Sequence, residues 1–221
     1  MIARKINILE HNIWGILEKE HSGSTNFMNY IVQTLFNNRK NQPVRIDIVD
    51  HINRKLDIWQ EYQEVINYSY NPVKVIDYVT EISTILQERY QDMVSGNESG
   101  QEQELLVLLI NSAEAYNILG GNLKVQDMYS KIVTLYKGLG VFIILGKLPN
   151  ANLNFGMPPI IKIVRDEMNI FSFQNINEQR LVDVPAAIVR EYAKKLETGD
   201  AYLIEGTNLS KIKTPLWENK I

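Results

Sequence analysis

Cysteine is absent from all 221 residues, which removes disulfides, thiolate nucleophiles and thiolate metal sites at once and suits a reducing compartment. Histidine is scarce: His11, His21 and His51 are the whole set, with no HxxxH or HExxH spacing, so metal ligation finds no pattern here and the three are expected in surface loops. Neither sign of charge dominates. With 23 basic and 26 acidic residues and a net charge of -3, the chain lacks the positive field that binding a phosphate backbone requires, and nucleic acid is not an expected partner. Long apolar runs are missing too. Leu105 to Ile110 and Val141 to Leu145 fall far short of the roughly 20 residues that cross a bilayer, so no membrane insertion is expected, and the N-terminal MIARKINILEHN has no h-region of a signal peptide. No G-x-S-x-G elbow is present, which leaves serine hydrolase chemistry without its motif. The adjacent acids Asp166 and Glu167, and Glu18 and Glu20, read as solvated surface rather than catalytic pairs.

What is present is enough apolar residue, 45%, to fill one sizeable core. Short apolar runs alternate with longer segments of helical period, the pattern of an α/β domain with helices packed on both faces of a mostly parallel sheet. Strands are expected at Asn12 to Leu17, Val44 to Val49, Glu104 to Ile110 and Val141 to Leu145, with shorter ones at Ile170 to Phe173 and Arg180 to Val184. Helices are expected from Thr25, where Phe27, Ile31 and Leu35 form a stripe, and behind Pro72, where Val73, Ile76, Val79, Ile82, Leu86, Tyr90 and Met93 recur every three or four residues. Others are expected through Val125 to Leu135, after Pro158 and Pro159, and over Pro185 to Glu197. Val94 to Gln103 reads as an exposed, flexible loop, and AYLIEG with the following residues as a closing hairpin. No linker or repeat divides residues 1–221, so a single domain is expected. Trp14 belongs in the core; Trp217, in TPLWENKI, is either a contact residue or a tail docked on its own domain.

The chemically informative unit is NIWGILEKEHSGSTNFMNYI. A working phosphate loop closes such a strand-loop-helix unit with G-x-x-x-x-G-K-[ST]: backbone N–H groups cradle phosphate, Lys reaches the β and γ phosphates, and the hydroxyl holds Mg²⁺. Here Gly23 and Thr25 take the last Gly and the hydroxyl, Ser24 stands where Lys belongs, and Glu18 where the first Gly belongs. Glu18 and His21 add bulk, and Glu18 adds negative charge; Ser22 completes the loop. After LLVLLI, where hydrolysis needs Asp for magnesium and an acid to polarise water, stand the neutral Asn111 and Ser112. Losing one positioned charge in such a site costs about 3 to 4 kcal/mol of transition-state stabilisation. Three losses in one pocket predict no hydrolysis.

The whole chain resembles the FtsK/SpoIIIE branch of P-loop motor proteins, and more closely the third, C-terminal ATPase-like domain of the EssC family of type VII secretion. The stretches that carry it are SGSTNFMNYIVQTLF, VRIDIVDHINRKL, LQERYQDM, ELLVLLINSAEAY, VFIILGKLPNAN and GDAYLIEGTNLSKIKTP, in the family's order. The resemblance implies a RecA-like P-loop NTPase fold and makes Glu18, His21, Ser22, Gly23, Ser24 and Thr25 a vestigial nucleotide-binding loop. It makes Asn111 and Ser112 a vestigial Walker B end, and places Lys147 near the family's polar sensor. It implies a pseudo-ATPase without cofactor, with weak ATP or anion binding as the alternative. It also implies a place at the cytoplasmic face of the cell membrane within a larger membrane protein. Preceding ATPase domains and WXG-type secreted substrates are its implied partners, and a homo-oligomer its implied assembly.

Overall fold

The computed structural model describes residues 6, 8–63, 66–97, 103–151, 156–192 and 195–217. In chain order the elements are β1 (Ile13–Leu17), α1 (Ser24–Asn38), β2 (Val44–Val49), β3 (Ile66–Ser69), α2 (Lys74–Ser95), β4 (Leu105–Ile110), α3 (Ala113–Gly121) and α4 (Leu123–Thr134). There follow β5 (Val141–Leu145), α5 (Pro159–Val164), β6 (Asn169–Ser172), α6 (Ala186–Glu191), β7 (Asp200–Glu205) and β8 (Asn208–Lys213).

The strands form one mixed sheet in the order β3-β2-β4-β5-β1-β6-β7-β8. From β3 to β6 every pairing is parallel; β7 and β8 close the sheet as an antiparallel hairpin. Parallel strands need both faces covered, which is why β4 can be an unbroken apolar run, with all six residues buried. Its side chains alternate between two cores. Leu105, Val107 and Leu109 join Trp14, Phe27, Ile31 and Trp59 beneath α1; Leu106, Leu108 and Ile110 join Val79, Ile82, Tyr116, Ile132 and Ile160 beneath α2 to α5.

Three expected elements are corrected. Arg180 to Val184 is not a strand, although Val182 and Val184 favour one. Its backbone is satisfied by side chains: Gln179 donates to the Val182 carbonyl (2.8 Å) and accepts from the Val182 N–H (3.0 Å), Asn150 Oδ1 accepts from the Arg180 N–H (2.7 Å), and Arg165 donates to the Leu181 carbonyl (3.2 Å). With those groups taken, no ladder is left to form. Val94 and Ser95, expected in a loop, finish α2, which Gly96 stops in the left-handed conformation (φ 70°) with its N–H on the Met93 carbonyl; residues 98–102 of that stretch lie outside the described residues. The helix expected over Pro185 to Glu197 is shorter: α6 ends at Glu191, Tyr192 lies in a turn and residues 195–197 are not helical, residues 193 and 194 lying outside the described residues. Two elements went unpredicted, the edge strand β3 and the helix α3. Among the described residues no helix is long and apolar enough to cross a membrane.

Candidate functional site

Because β5 lies between β1 and β4, the loop after β1, the turn after β5 and the end of β4 meet at one edge of the sheet, beyond the carboxyl ends of its parallel strands. A cleft of about 470 Å³ opens there, lined by residues 18–25 together with Asn53, Lys55, Lys147 and Leu148. Every residue of the expected vestigial loop lines it, and Lys147 joins them from 129 positions along the chain.

The loop turns into α1 through two left-handed residues. Gly23 caps α1 at φ 93°, a conformation costly for any side chain, and a Cβ there would also press on the Gly199 backbone at 3.3 Å. His21 is left-handed as well (φ 55°). The turn is pinned from outside. Gly199 N–H donates to the Ser22 carbonyl (2.8 Å), Thr198 Oγ1 to the His21 carbonyl (3.3 Å), and Ser22 Oγ back to the Lys19 carbonyl (2.6 Å). Ser24, at the Lys position, is buried, 4% exposed.

Glu18 and Lys147, read separately from the sequence, are one feature in space. Lys147 Nζ lies 2.8 Å from Glu18 Oε2, and the Lys147 backbone N–H donates to Glu18 Oε1 at 3.3 Å. Lys147 holds the left-handed conformation (φ 50°) that presents both donors. Gln174 Nε2 fixes the Glu18 carbonyl at 3.0 Å.

Asn111 and Ser112 do something else. Ser112 is the N-cap of α3, its Oγ accepting from the Ala115 N–H. Asn111 is fully buried and donates through Nδ2 to Asp50 Oδ1 at 2.7 Å; its own Oδ1 finds no hydrogen-bond partner among the described residues. Asp50, also fully buried, accepts further from the N–H groups of His51 (2.8 Å) and Leu56 (2.8 Å) and from Tyr68 Oη (3.0 Å). The neighbouring Gly146 has no room for a side chain, since a Cβ would stand 2.5 Å from Asn111 Oδ1. Tyr116 Oη donates to the carbonyls of Ile110 and Gly146, tying the ends of β4 and β5 together.

Asp50, Gln174, Tyr116 and Gly199 therefore belong to the site's frame and were not singled out by sequence. Asp50 left a signal, being an acid directly after the apolar run of β2; Gln174 and Gly199 left none, because long-range packing brings them in. Among the described residues no group of three His, Asp or Glu side chains could hold a metal ion. His11, His21 and His51 lie in loops.

No known protein-family model matches the chain, and no curated protein matches it. Solved structures do. The cytoplasmic domain of EssC is 20% identical, with TM-score 0.70 over 96% of this chain and 40% of that one. ATPases 2 and 3 of EssC from Geobacillus thermodenitrificans are 19% identical, with TM-score 0.74 over 96% of this chain and 38% of theirs. ATPases 2 and 3 of Thermomonospora curvata EccC, solved with a signal sequence peptide, are 14% identical, with TM-score 0.71 over 97% of this chain and 38% of theirs. The chain shares its fold with the type VII secretion ATPases. It spans about two-fifths of the length of each of these three, so the likeness bears on one fold unit and not on the activity of a whole protein.

Proposed function

We propose that this chain is a non-hydrolysing, ATPase-like domain of a type VII secretion motor, which engages exported substrates or controls neighbouring ATPase domains. The observation that carries the proposal is what stands in and beside the cleft: Gly23 makes a left-handed turn into α1, while a Glu–Lys ion pair and a buried serine within the cleft, and the fully buried amide of Asn111 outside its lining, stand at the positions where hydrolysis needs an open turn, a lysine and an acid. Catalysis of phosphoryl transfer is positioning and charge stabilisation around the γ-phosphoryl group. None of the three positions supplies either.

The fold shared with EssC and EccC supports the secretion setting, and with it a place at the cytoplasmic face of the membrane as part of a longer chain. Assembly into a homo-oligomer belongs to the same proposal. The EccC ATPases 2 and 3 carry a bound signal sequence peptide, which supports secreted proteins as the substrates; that these are of the WXG type, and that ATPase domains precede this one, belongs to the same proposal. A docked domain of this kind acts by differential affinity: a partner that prefers one arrangement shifts the motor's equilibrium by that difference.

A second reading, a domain that binds nucleotide without hydrolysing it, is favoured by Gly23, which keeps its left-handed conformation, and by the first turn of α1, whose N–H groups have no partners within the helix. The two readings agree on catalysis. Phosphate release from ATP and magnesium by the purified chain is expected to stay at the buffer rate; release above it that disappears in Thr25→Val would overturn both.

A further inference from the structure

We infer that the Glu18–Lys147 pair is a built-in anion lock, an internal carboxylate that holds the place and the counter-charge a phosphate chain would take and so keeps the cleft closed to polyphosphates. The inference rests on the reading of the cleft as a dismantled nucleotide site and adds how that site is kept empty.

The geometry is that of a bound anion. One carboxylate oxygen takes the ammonium of Lys147 at 2.8 Å and the other takes the same residue's backbone N–H at 3.3 Å, so one residue offers two converging donors, as phosphate sites do. The Glu18 side chain is 9% exposed and that of Lys147 27%, which places the pair inside the cleft rather than on its rim, where water and salt would screen it. The backbone of the holder is bent to suit. Lys147 occupies φ 50° without being glycine, a conformation that costs energy and persists where surrounding contacts over-determine it. The lock is also anchored at its other end, since Gln174 Nε2 fixes the Glu18 carbonyl at 3.0 Å.

A phosphate chain entering the cleft would meet the Glu18 carboxylate beside it and find the Lys147 charge already neutralised. To bind, it would have to break the pair, leaving a carboxylate that is nearly buried without a partner. Removing the carboxylate reverses both effects. Glu18→Gln keeps the side chain's size and frees the ammonium; Glu18→Gly also restores the residue type that a phosphate loop carries there. A freed Lys147 then shares the cleft with Lys55 and the N-terminus of α1.

The test is equilibrium titration with inorganic tripolyphosphate, and separately with ATP and magnesium, of the wild type, Glu18→Gln, Glu18→Gly and the double variant Glu18→Gln with Lys147→Met, each checked by thermal melting. Either neutral variant is expected to bind tripolyphosphate at least tenfold more tightly than the wild type, with the gain lost in the double variant. A gain confined to ATP would place the effect on the base or ribose and overturn the lock, as would unchanged affinity in whichever neutral variant melts as the wild type does, or a gain that survives Lys147→Met. Should both neutral variants melt early, Lys147→Met in the wild-type background decides: tighter tripolyphosphate binding there contradicts the lock, and binding no tighter than the wild type's supports it. ATP turnover by the wild type would instead sink the reading of a dismantled site, a separable outcome.

Discussion

Asn111 shows why the acid of a working site cannot simply be restored at its position. Its amide donates to Asp50, a fully buried carboxylate that already takes two backbone N–H groups and a tyrosine hydroxyl. An aspartate at 111 would set two carboxylates 2.7 Å apart without solvent, and like charges at that range cannot both ionise. Asn111→Asp is therefore expected to cost about 2–4 kcal/mol in urea unfolding. The second carboxyl would have a raised pKa in the fold, so its penalty should be absent at low pH, grow as pH rises from the ordinary carboxylate range toward the raised value, and level off above it. Adding Asp50→Asn should recover part of the loss. Equal stability of Asn111→Asp and the wild type at pH 8 would mean that the Asp50 contact is not what dictates the amide. Glu18 and Lys147 make the complementary point: each was visible in the sequence as an oddity, but their pairing depends on β5 lying beside β1, which no local spacing reveals.

At the level of elements, the closing hairpin depends on one carboxylate. Asp200 opens β7 and accepts from Lys211 (2.7 Å) and Lys213 (3.0 Å) of β8 and from the Glu197 N–H (3.1 Å). Burial pushes its carboxyl up, but those donors outweigh burial and hold it at about 2, below its ordinary 3.8. A lowered pKa gives stability that is complete above the unfolded value and disappears as pH falls through the folded one. The hairpin should thus lose support between about pH 4 and pH 2. Asp200→Asn is expected to cost about 1–2 kcal/mol at pH 7, allowing for water around the half-exposed lysine heads, and to flatten that part of the acid-unfolding profile; a profile unchanged by the substitution would remove Asp200 from the account of the hairpin. The elements legible in the sequence were those with strong period or unbroken burial, such as α2 and β4. β3 was not, because an edge strand of four residues, INYS, with Asn67 and Ser69 in it carries little apolar pattern, and its place is set by pairing with β2. Its register is reinforced from the neighbouring strand, where Asp47 accepts from Asn67 at 2.7 Å and Arg45 reaches both Asp47 and Glu81 of α2. Arg180 to Val184 failed in the opposite direction, with the composition of a strand and a backbone already satisfied by Gln179, Asn150 and Arg165.

Across the whole molecule, the chain's last described residues return to the helix that follows the cleft loop. Asn26 of α1 donates to the Pro215 carbonyl (3.0 Å) and accepts from the Trp217 N–H (3.1 Å), while Trp217 packs 6.5 Å from Trp59. Of the two sequence readings of Trp217, the docked tail is the one observed. The turn at Thr198 and Gly199 holds the loop at His21 and Ser22, and the tail holds the first turn of α1 at Asn26, so the cleft is braced from two sides. A cleft that carries Glu18 and Ser24, with the buried Asn111 nearby, fits the proposed domain for docking and control. Calorimetric titration of the purified chain with ATP and magnesium, at protein concentrations that detect a dissociation constant near about 1 mM, tests this most directly. No heat of binding is the expected result. Saturable binding that weakens in Thr25→Val would contradict a closed cleft and make the domain a nucleotide sensor.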